Sequence, residues 1–344
     1  MPRGSTTFPA DATSYTWTDT PSSFAGPAKN SRSTPTWPTS TTRRSDGCGP
    51  CALYSDGVPV HNTENARSRP AMIDFHMHMG NLYREGYPAR PPLNVDQLID
   101  WMNRSGIEMG VLLPLESPEG SWGYFLNEEA VAARNAYPRR LIAFLCVDPR
   151  YPMAEAHIDH FVEKHGCKGF GEHVNGLAFD DPRNLRIYAK CNEHRLPLVF
   201  EISPDLCFDD PGLPKLEMCL KQFPHVTFVG HGPAFWSAIS ADDPRTGYPK
   251  GPIKPGGAVD RLMAAYPNLY ADLSAGSGYN AMTRDPEFTL GFIERNWKRL
   301  LWGTDIVGVH DNPPQIEWIR SVPIREEWRK AIQEENARRV LNLA

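Results

Sequence analysis

An α/β fold, a closed (β/α)8 barrel of parallel strands, is the class this sequence predicts, and three observations carry it. Short apolar runs recur at 71–75, 107–113, 141–147, 167–171, 196–202, 226–231, 268–273 and 299–304. Amphipathic stretches alternate with them at 95–104, 127–136, 153–164, 183–194, 213–222, 257–266, 286–296 and 325–341. Strands alternating with helices imply a parallel sheet, and eight such units fit one closed barrel. The third observation is negative. No Gly-x-Gly-x-x-Gly turn follows any of the strands, so an open dinucleotide-type sheet is disfavoured.

Before the barrel, residues 1–70 read differently. They are rich in Ser, Thr and Pro, as in Ser33-Thr34-Pro35-Thr36-Trp37-Pro38. Such a segment cannot bury enough apolar surface to offset chain entropy, so a disordered or linker-like stretch is expected. Arg43-Arg44 invites an export signal, but the polar Ser45-Asp46-Gly47 follows where an apolar core is required. A cytoplasmic location is expected, with export left open. The barrel domain is expected over 71–344.

Composition bounds the rest. The chain of 344 residues is 40% hydrophobic and 22% charged, with net charge −5 and no long run of either sign. Nucleic-acid partners are disfavoured, because they usually require a basic face. A membrane span is not expected, because no apolar run reaches roughly 18 residues. Of seven cysteines, Cys146, Cys167, Cys191, Cys207 and Cys219 fall in core-like segments and read as reduced core thiols. Cys48 and Cys51 form a lone Cys-x-x-Cys without a second pair, and read as inert.

Strand 1 is the most telling element. In Asp74-Phe75-His76-Met77-His78 the two histidines are two apart, and on a strand such residues share a face. Paired imidazoles of this kind bind a divalent transition metal. Each helix that follows carries apolar residues at three-to-four spacing, as in Leu98, Ile99, Trp101 and Met102. The later strands end in further polar groups: Glu172-His173 on strand 4, Glu201 on strand 5, His231 on strand 6, Asp272 on strand 7 and Asp305 on strand 8. In such barrels the C-terminal strand ends form the active site, so these groups are expected to converge at one mouth. Neutral imidazoles and carboxylates can hold a borderline metal while leaving a position for water.

On these residues the chain resembles the amidohydrolase superfamily, specifically its amidohydrolase-2 branch of metal-dependent hydrolases and decarboxylases with a TIM-barrel fold. The resemblance covers roughly 71–344. It rests on Asp74-Phe75-His76-Met77-His78, Gly230-His231-Gly232, Trp302-Gly303-Thr304-Asp305 and the closing Glu335-Asn336-Ala337-Arg338-Arg339-Val340-Leu341. It implies that His76 and His78 are metal ligands, that Asp305 is a ligand or general base, and that His231 is a catalytic or ligand histidine. The chain departs from the pattern at Glu201, where many members carry a histidine. Glu172 stands where some relatives place a bridging carboxylate or a modified lysine. One or two metal ions fit this set (His76, His78, Glu172, Glu201, Asp305), and one is expected, zinc first with manganese as the alternative.

Other polar residues read as structural. Asp74 should lie deeper than His76 on the same face and serve as a hydrogen-bonding residue. His173 should point away from Glu172. Asp272 is either a support for the ligands or a strand-end cap. His157, His160, His165, His194 and His225 should lie on helix surfaces. Two long loops, 232–256 with Trp236, Tyr248 and Lys250, and 114–125 with Trp122, Tyr124 and Phe125, should border the substrate. The expected function is hydrolysis of a small amide, lactone or ester by a metal-activated water. The alternatives are non-oxidative decarboxylation of an aromatic or unsaturated carboxylate, and a catalytically silent metal-binding barrel. The expected partner is a small-molecule substrate; a homo-oligomer is left open.

Overall fold

The computed structural model describes residues 71–80, 92–119 and 125–343. The expected linker over 1–70, the Cys48–Cys51 pair, Trp122 and Tyr124 lie outside the described residues. The elements run β1 (Ile73–Met77), α1 (Val95–Ser105), β2 (Met109–Leu112), α2 (Asn127–Ala136), β3 (Leu141–Ala143), α3 (Ala154–Glu163), β4 (Phe170–His173), α4 (Pro182–His194) and β5 (Pro197–Glu201). They continue with α5 (Pro214–Gln222), β6 (Thr227–His231), α6 (Pro233–Ser237), α7 (Ala258–Ala265), β7 (Leu269–Asp272), α8 (Ala275–Thr283), α9 (Pro286–Asn296) and β8 (Leu300–Leu301). The chain ends in α10 (Gln315–Ser321), α11 (Glu326–Lys330), a π-helical turn over Ala331–Glu335 and α12 (Asn336–Leu341).

All ladders are parallel, in the orders β1-β2-β3 and β4-β5-β6-β7-β8. Two parallel bridges, Leu145 with Phe170 and Met77 with Ile306, join the two sheets into a ring. The fold is a TIM barrel, as the alternation of strands and helices predicts. Local chemistry fixes the helix ends. Asn94 and Gln97 form a reciprocal capping box on α1. Asp181 caps α4, whose first residue is Pro182, and Asp285 caps α9 before Pro286.

The barrel interior is a compact apolar layer of Ile73, Phe75, Val111, Leu113, Ile142, Phe144, Val199, Val229 and Leu301, closed off by Ala337 and Leu341 of α12. Two residues further along β5 and β6, the same inward face carries Glu201 and His231, paired across the ladder. The polar mouth is therefore the next layer of the same alternation. Strand β1 needs one irregularity to join it. Its register with β2 shifts between Asp74 and Met77, so Ile73 and Phe75 line the interior and yet His76 and His78 reach the mouth. This corrects the expectation that Asp74 shares their face. Its carboxylate instead accepts from the Thr304 hydroxyl (2.6 Å), the Thr304 N–H (3.0 Å) and the His76 N–H (3.1 Å).

Three helices depart from the expected pattern: α6, α8 and α10 lie where loops are expected. The stretch expected as one helix over 325–341 is interrupted by the π-turn, where the Ile332 carbonyl accepts the Trp302 N–H at 3.1 Å. Among the described residues no helix is long and apolar enough to cross a membrane.

Candidate metal centre

Three imidazoles and three carboxylates meet at the C-terminal ends of the strands. His76, His78, Glu172, His231 and Asp272 are all buried, and the side chain of Asp305 is 27% exposed. The outer nitrogen of each ring is already held. His76 Nδ1 donates to Asp272 Oδ2 at 2.7 Å, and His78 Nδ1 donates to the Leu113 carbonyl at 2.8 Å. His231 Nδ1 lies 3.1 Å from the same Asp272 oxygen and 3.2 Å from Ser274 Oγ. A carbonyl can only accept, so the proton of neutral His78 sits on Nδ1 and leaves its Nε2 lone pair free.

All three Nε2 atoms face inward. Those of His76 and His78 are 3.1 Å apart. Asp305 Oδ1 is 3.1 Å from His78 Nε2 and 3.6 Å from His76 Nε2. Glu172 Oε2 is 3.4 Å and 3.5 Å from the same two atoms, and its other oxygen faces His231 Nε2 at 3.7 Å. Two ligand atoms each about 2.1 Å from one ion stand about 3.0–3.4 Å apart for right-angled to tetrahedral coordination. The donor set and its spacing therefore fit a divalent metal: His76, His78 and Glu172 form one candidate group, and Asp305 Oδ1 stands near both of its histidines. A carboxylate behind the ligand histidine, here Asp272 behind His76, is the usual support of such centres.

The electrostatics follow from burial against mutual attraction. Burial alone would lower the His78 imidazole, but Asp305 and Glu172 outweigh it and hold it up at about 9. His76 is likewise held well above its ordinary range, against burial, by Glu172, Asp272 and Asp305. Burial pushes Asp272 up, and His76 and His231 pull it further the other way, well below the carboxylate range. Asp305 sits at φ 60, a left-handed conformation that costs a non-glycine residue on the order of 1–3 kcal/mol. The His76 carbonyl accepts its N–H at 2.8 Å.

Glu201 stands apart from the other strand-end carboxylates. Among the described residues it forms no ion pair with the three imidazoles, although its backbone pairs with His231. Burial and then the charge of Glu172 push its carboxyl up to about 7. His173 turns away from the cluster. It is buried against Phe170 and Tyr188, contacts Asn175 at 3.2 Å, and is lowered to about 4 by burial. The sequence reading missed Ser274, whose hydroxyl donates to Asp272 Oδ2 at 2.6 Å; its two-residue spacing from Asp272 was the available signal.

The loop expectations divide. Trp236 is buried and donates Nε1–H to the Asp272 carbonyl at 3.0 Å, and Phe125 is buried in the core; both are structural. Tyr248 is 58% exposed and lies over Gly276 at the start of α8. Partial burial and then the Glu201 and Asp305 carboxylates raise its phenol, so it stands within electrostatic reach of the mouth.

Comparison with solved structures gives the same fold at low identity. An uncharacterised TIM-barrel protein from Bordetella bronchiseptica is 18% identical with TM-score 0.61, covering 79% of this chain and 98% of that one. A probable 2-pyrone-4,6-dicarboxylic acid hydrolase from Acinetobacter baumannii is 14% identical with TM-score 0.54, covering 79% and 99%. A dihydroxybenzoic acid decarboxylase from Polaromonas sp. JS666, solved with manganese and 2-nitroresorcinol, is 14% identical with TM-score 0.52, covering 80% and 97%. No curated protein matches the sequence. The amidohydrolase family model matches residues 73–343, and with nearly the whole barrel inside that match the chain belongs to the amidohydrolase family.

Proposed function

We propose that this protein is a metal-dependent hydrolase acting on a small organic amide, lactone or ester, with zinc or manganese held by His76, His78, Glu172 and Asp305. The observation that carries the reading is the convergence of two Nε2 atoms and two carboxylates at 3.1–3.6 Å, with both outer ring nitrogens tied back. When bound, a divalent metal supplies Lewis acidity, polarising a substrate oxygen and making water more acidic.

The chain's own groups supply the rest. Asp305, the most exposed carboxylate of the cluster, is placed to take a proton from an attacking water at its free oxygen. His231, fixed through Nδ1 by Asp272, presents Nε2 to the cleft, where it can donate to an oxygen that gains negative charge. Glu201, whose carboxyl is pushed up to about 7, is about half protonated at pH 7, and its protonated form can give a proton to the leaving group. Tyr248 borders the entrance.

The same raised Glu201 favours a second reading, decarboxylation, in which the proton of its protonated form is delivered to carbon as carbon dioxide departs. The deciding experiment uses metal-replete protein in labelled water with a panel of lactones, amides and hydroxybenzoates. Solvent oxygen in the product supports hydrolysis. Carbon dioxide release with solvent hydrogen on the product carbon replaces it with decarboxylation. Turnover of none of the panel by protein that binds metal tightly would leave a silent barrel.

A further inference from the structure

We infer that the buried thiols of Cys146 and Cys207 are positioning residues of the metal centre, clamping the backbone that carries Glu172; this rests on the metal reading above. Strand β4 loses its register with β5 between Phe170 and His173, and on the other side the Gly171 N–H donates to the Leu145 carbonyl at 2.8 Å. Gly171 there sits at φ 147, with the Val199 carbonyl only 2.9 Å from where a Cβ would stand. The Glu172 N–H leaves β5 altogether and donates to the Pro114 carbonyl beyond β2 at 3.0 Å. Two thiols then grip the carbonyls at the end of β4. Cys146 Sγ donates to the Glu172 carbonyl at 3.1 Å, and Cys207 Sγ donates to the His173 carbonyl at 3.3 Å.

Both thiols stand on fixed supports. Asn127 accepts the Cys146 N–H at 2.8 Å and donates to the Cys146 carbonyl at 2.7 Å. The Cys207 N–H donates to the Asn175 carbonyl at 2.7 Å. Burial raises both thiols above their ordinary range, so each keeps the hydrogen it donates. A shift of the Glu172 backbone passes directly to a carboxylate whose two oxygens face three imidazoles, and that is how a weak S–H donor acquires leverage over metal affinity. Cys191 and Cys219 are equally buried and lie in α4 and α5, and among the described residues neither thiol donates to a β4 carbonyl as Cys146 and Cys207 do. They are the internal control for a thiol that merely fills space.

The test is the zinc(II) dissociation constant of the full-length protein, measured by competition with a chromophoric chelator. Outer-sphere partners of metal ligands typically change affinity by about 10- to 100-fold. Cys146→Ala and Cys207→Ala should therefore weaken zinc about tenfold, whereas Cys191→Ala, which removes the same atoms elsewhere, should stay within about twofold. Cys146→Ser, which restores a donor, should recover most of the loss. If Cys146→Ala does not fold, Cys146→Ser against Cys146→Val decides, since both fill the space and only serine donates. Equal zinc affinity in Cys146→Ala and Cys191→Ala, or in the Ser and Val variants, overturns the inference while leaving the metal reading standing. A parent protein that binds neither zinc nor manganese removes the metal reading and this inference with it.

Discussion

Asp272 accepts the Nδ1 hydrogen of His76 at 2.7 Å, and that single contact turns the Nε2 of the ring toward Glu172 and Asp305. The same oxygen takes Ser274 Oγ–H and lies within reach of His231 Nδ1, so one buried carboxylate orients two imidazoles. Asp272→Asn keeps the shape but removes the charge and brings an N–H₂ group against ring nitrogens that already carry hydrogen. Metal affinity should fall by about 10- to 100-fold, with the fold retained by circular dichroism. An unchanged dissociation constant would make Asp272 a strand-end cap and nothing more.

Glu172 and Glu201 offer the sharpest contrast between two carboxylates at one mouth. Glu172 reaches both Nε2 atoms of the β1 pair at 3.4–3.5 Å, and Glu201 pairs with none of them. Glu172→Gln should therefore weaken the metal by at least about tenfold. Glu201→Gln should keep it within about threefold and lose turnover, because the amide cannot give up a proton as the acid does. A steep loss of metal in Glu201→Gln, relieved in Glu201→His, would instead restore Glu201 to the ligand set.

How far the sequence could be read depended on whether the local signal and the tertiary demand agreed. At β5 and β6 the polar residue ends an apolar run and the alternation leads directly to the mouth, whereas β1 reaches it only through its register shift. The mouth's supports were less visible. Leu113 contributes a backbone carbonyl, which any residue type could supply, and Cys146 looks like every other buried thiol. Helix α8 opens on Ala275-Gly276-Ser277-Gly278, and its two glycines are poor helix formers that packing overrides. A Cβ at Gly278 would stand 2.6 Å from the Leu273 backbone, so the glycine that hides the helix from a periodicity reading is required by close approach. The face of Asp74 was misjudged because strict alternation ignores the register shift in β1.

Removing the metal should cost stability by mass action. At free metal about 100 times its dissociation constant, binding adds about 2.7 kcal/mol. For a chain of this size that corresponds to roughly 4–5 °C in Tm. Thermal scans with chelator and with zinc or manganese restored read this directly. Identical Tm under both conditions, at protein shown to contain metal, would mean the centre is not coupled to the fold.

Gly257→Ala separates stability from the site. Gly257 precedes α7 with its Cα facing the Ile239 carbonyl, and an added Cβ would fall inside the contact distance of that backbone. Backbone cannot swing aside as a side chain can, so overpacking of about 1–3 kcal/mol is expected. Chemical denaturation should show it as a lower midpoint. Zinc affinity should not move, because no group of the metal cluster contacts this turn; a matched loss of both would point to the β6–α7 loop as part of the centre.

The last prediction concerns pH and a carboxyl outside the metal cluster. Glu116, in the loop after β2, accepts the Asn127 N–H at 2.8 Å. Burial, and then the charge of Glu128, push it up from its usual 4.5 to about 7. Its folded-state pKa is raised, so between these values the native state holds a proton that the unfolded chain releases. The contribution of Glu116 to stability is thus fully present below pH 4.5 and is lost as pH rises through 7. Glu116→Gln keeps a carbonyl for Asn127 and cannot ionise. The variant should show a smaller fall in Tm between pH 5 and pH 8 than the parent, in protein held in the same metal-free buffer. Parallel curves for parent and variant would show that Glu116 is charged at neutral pH despite its burial.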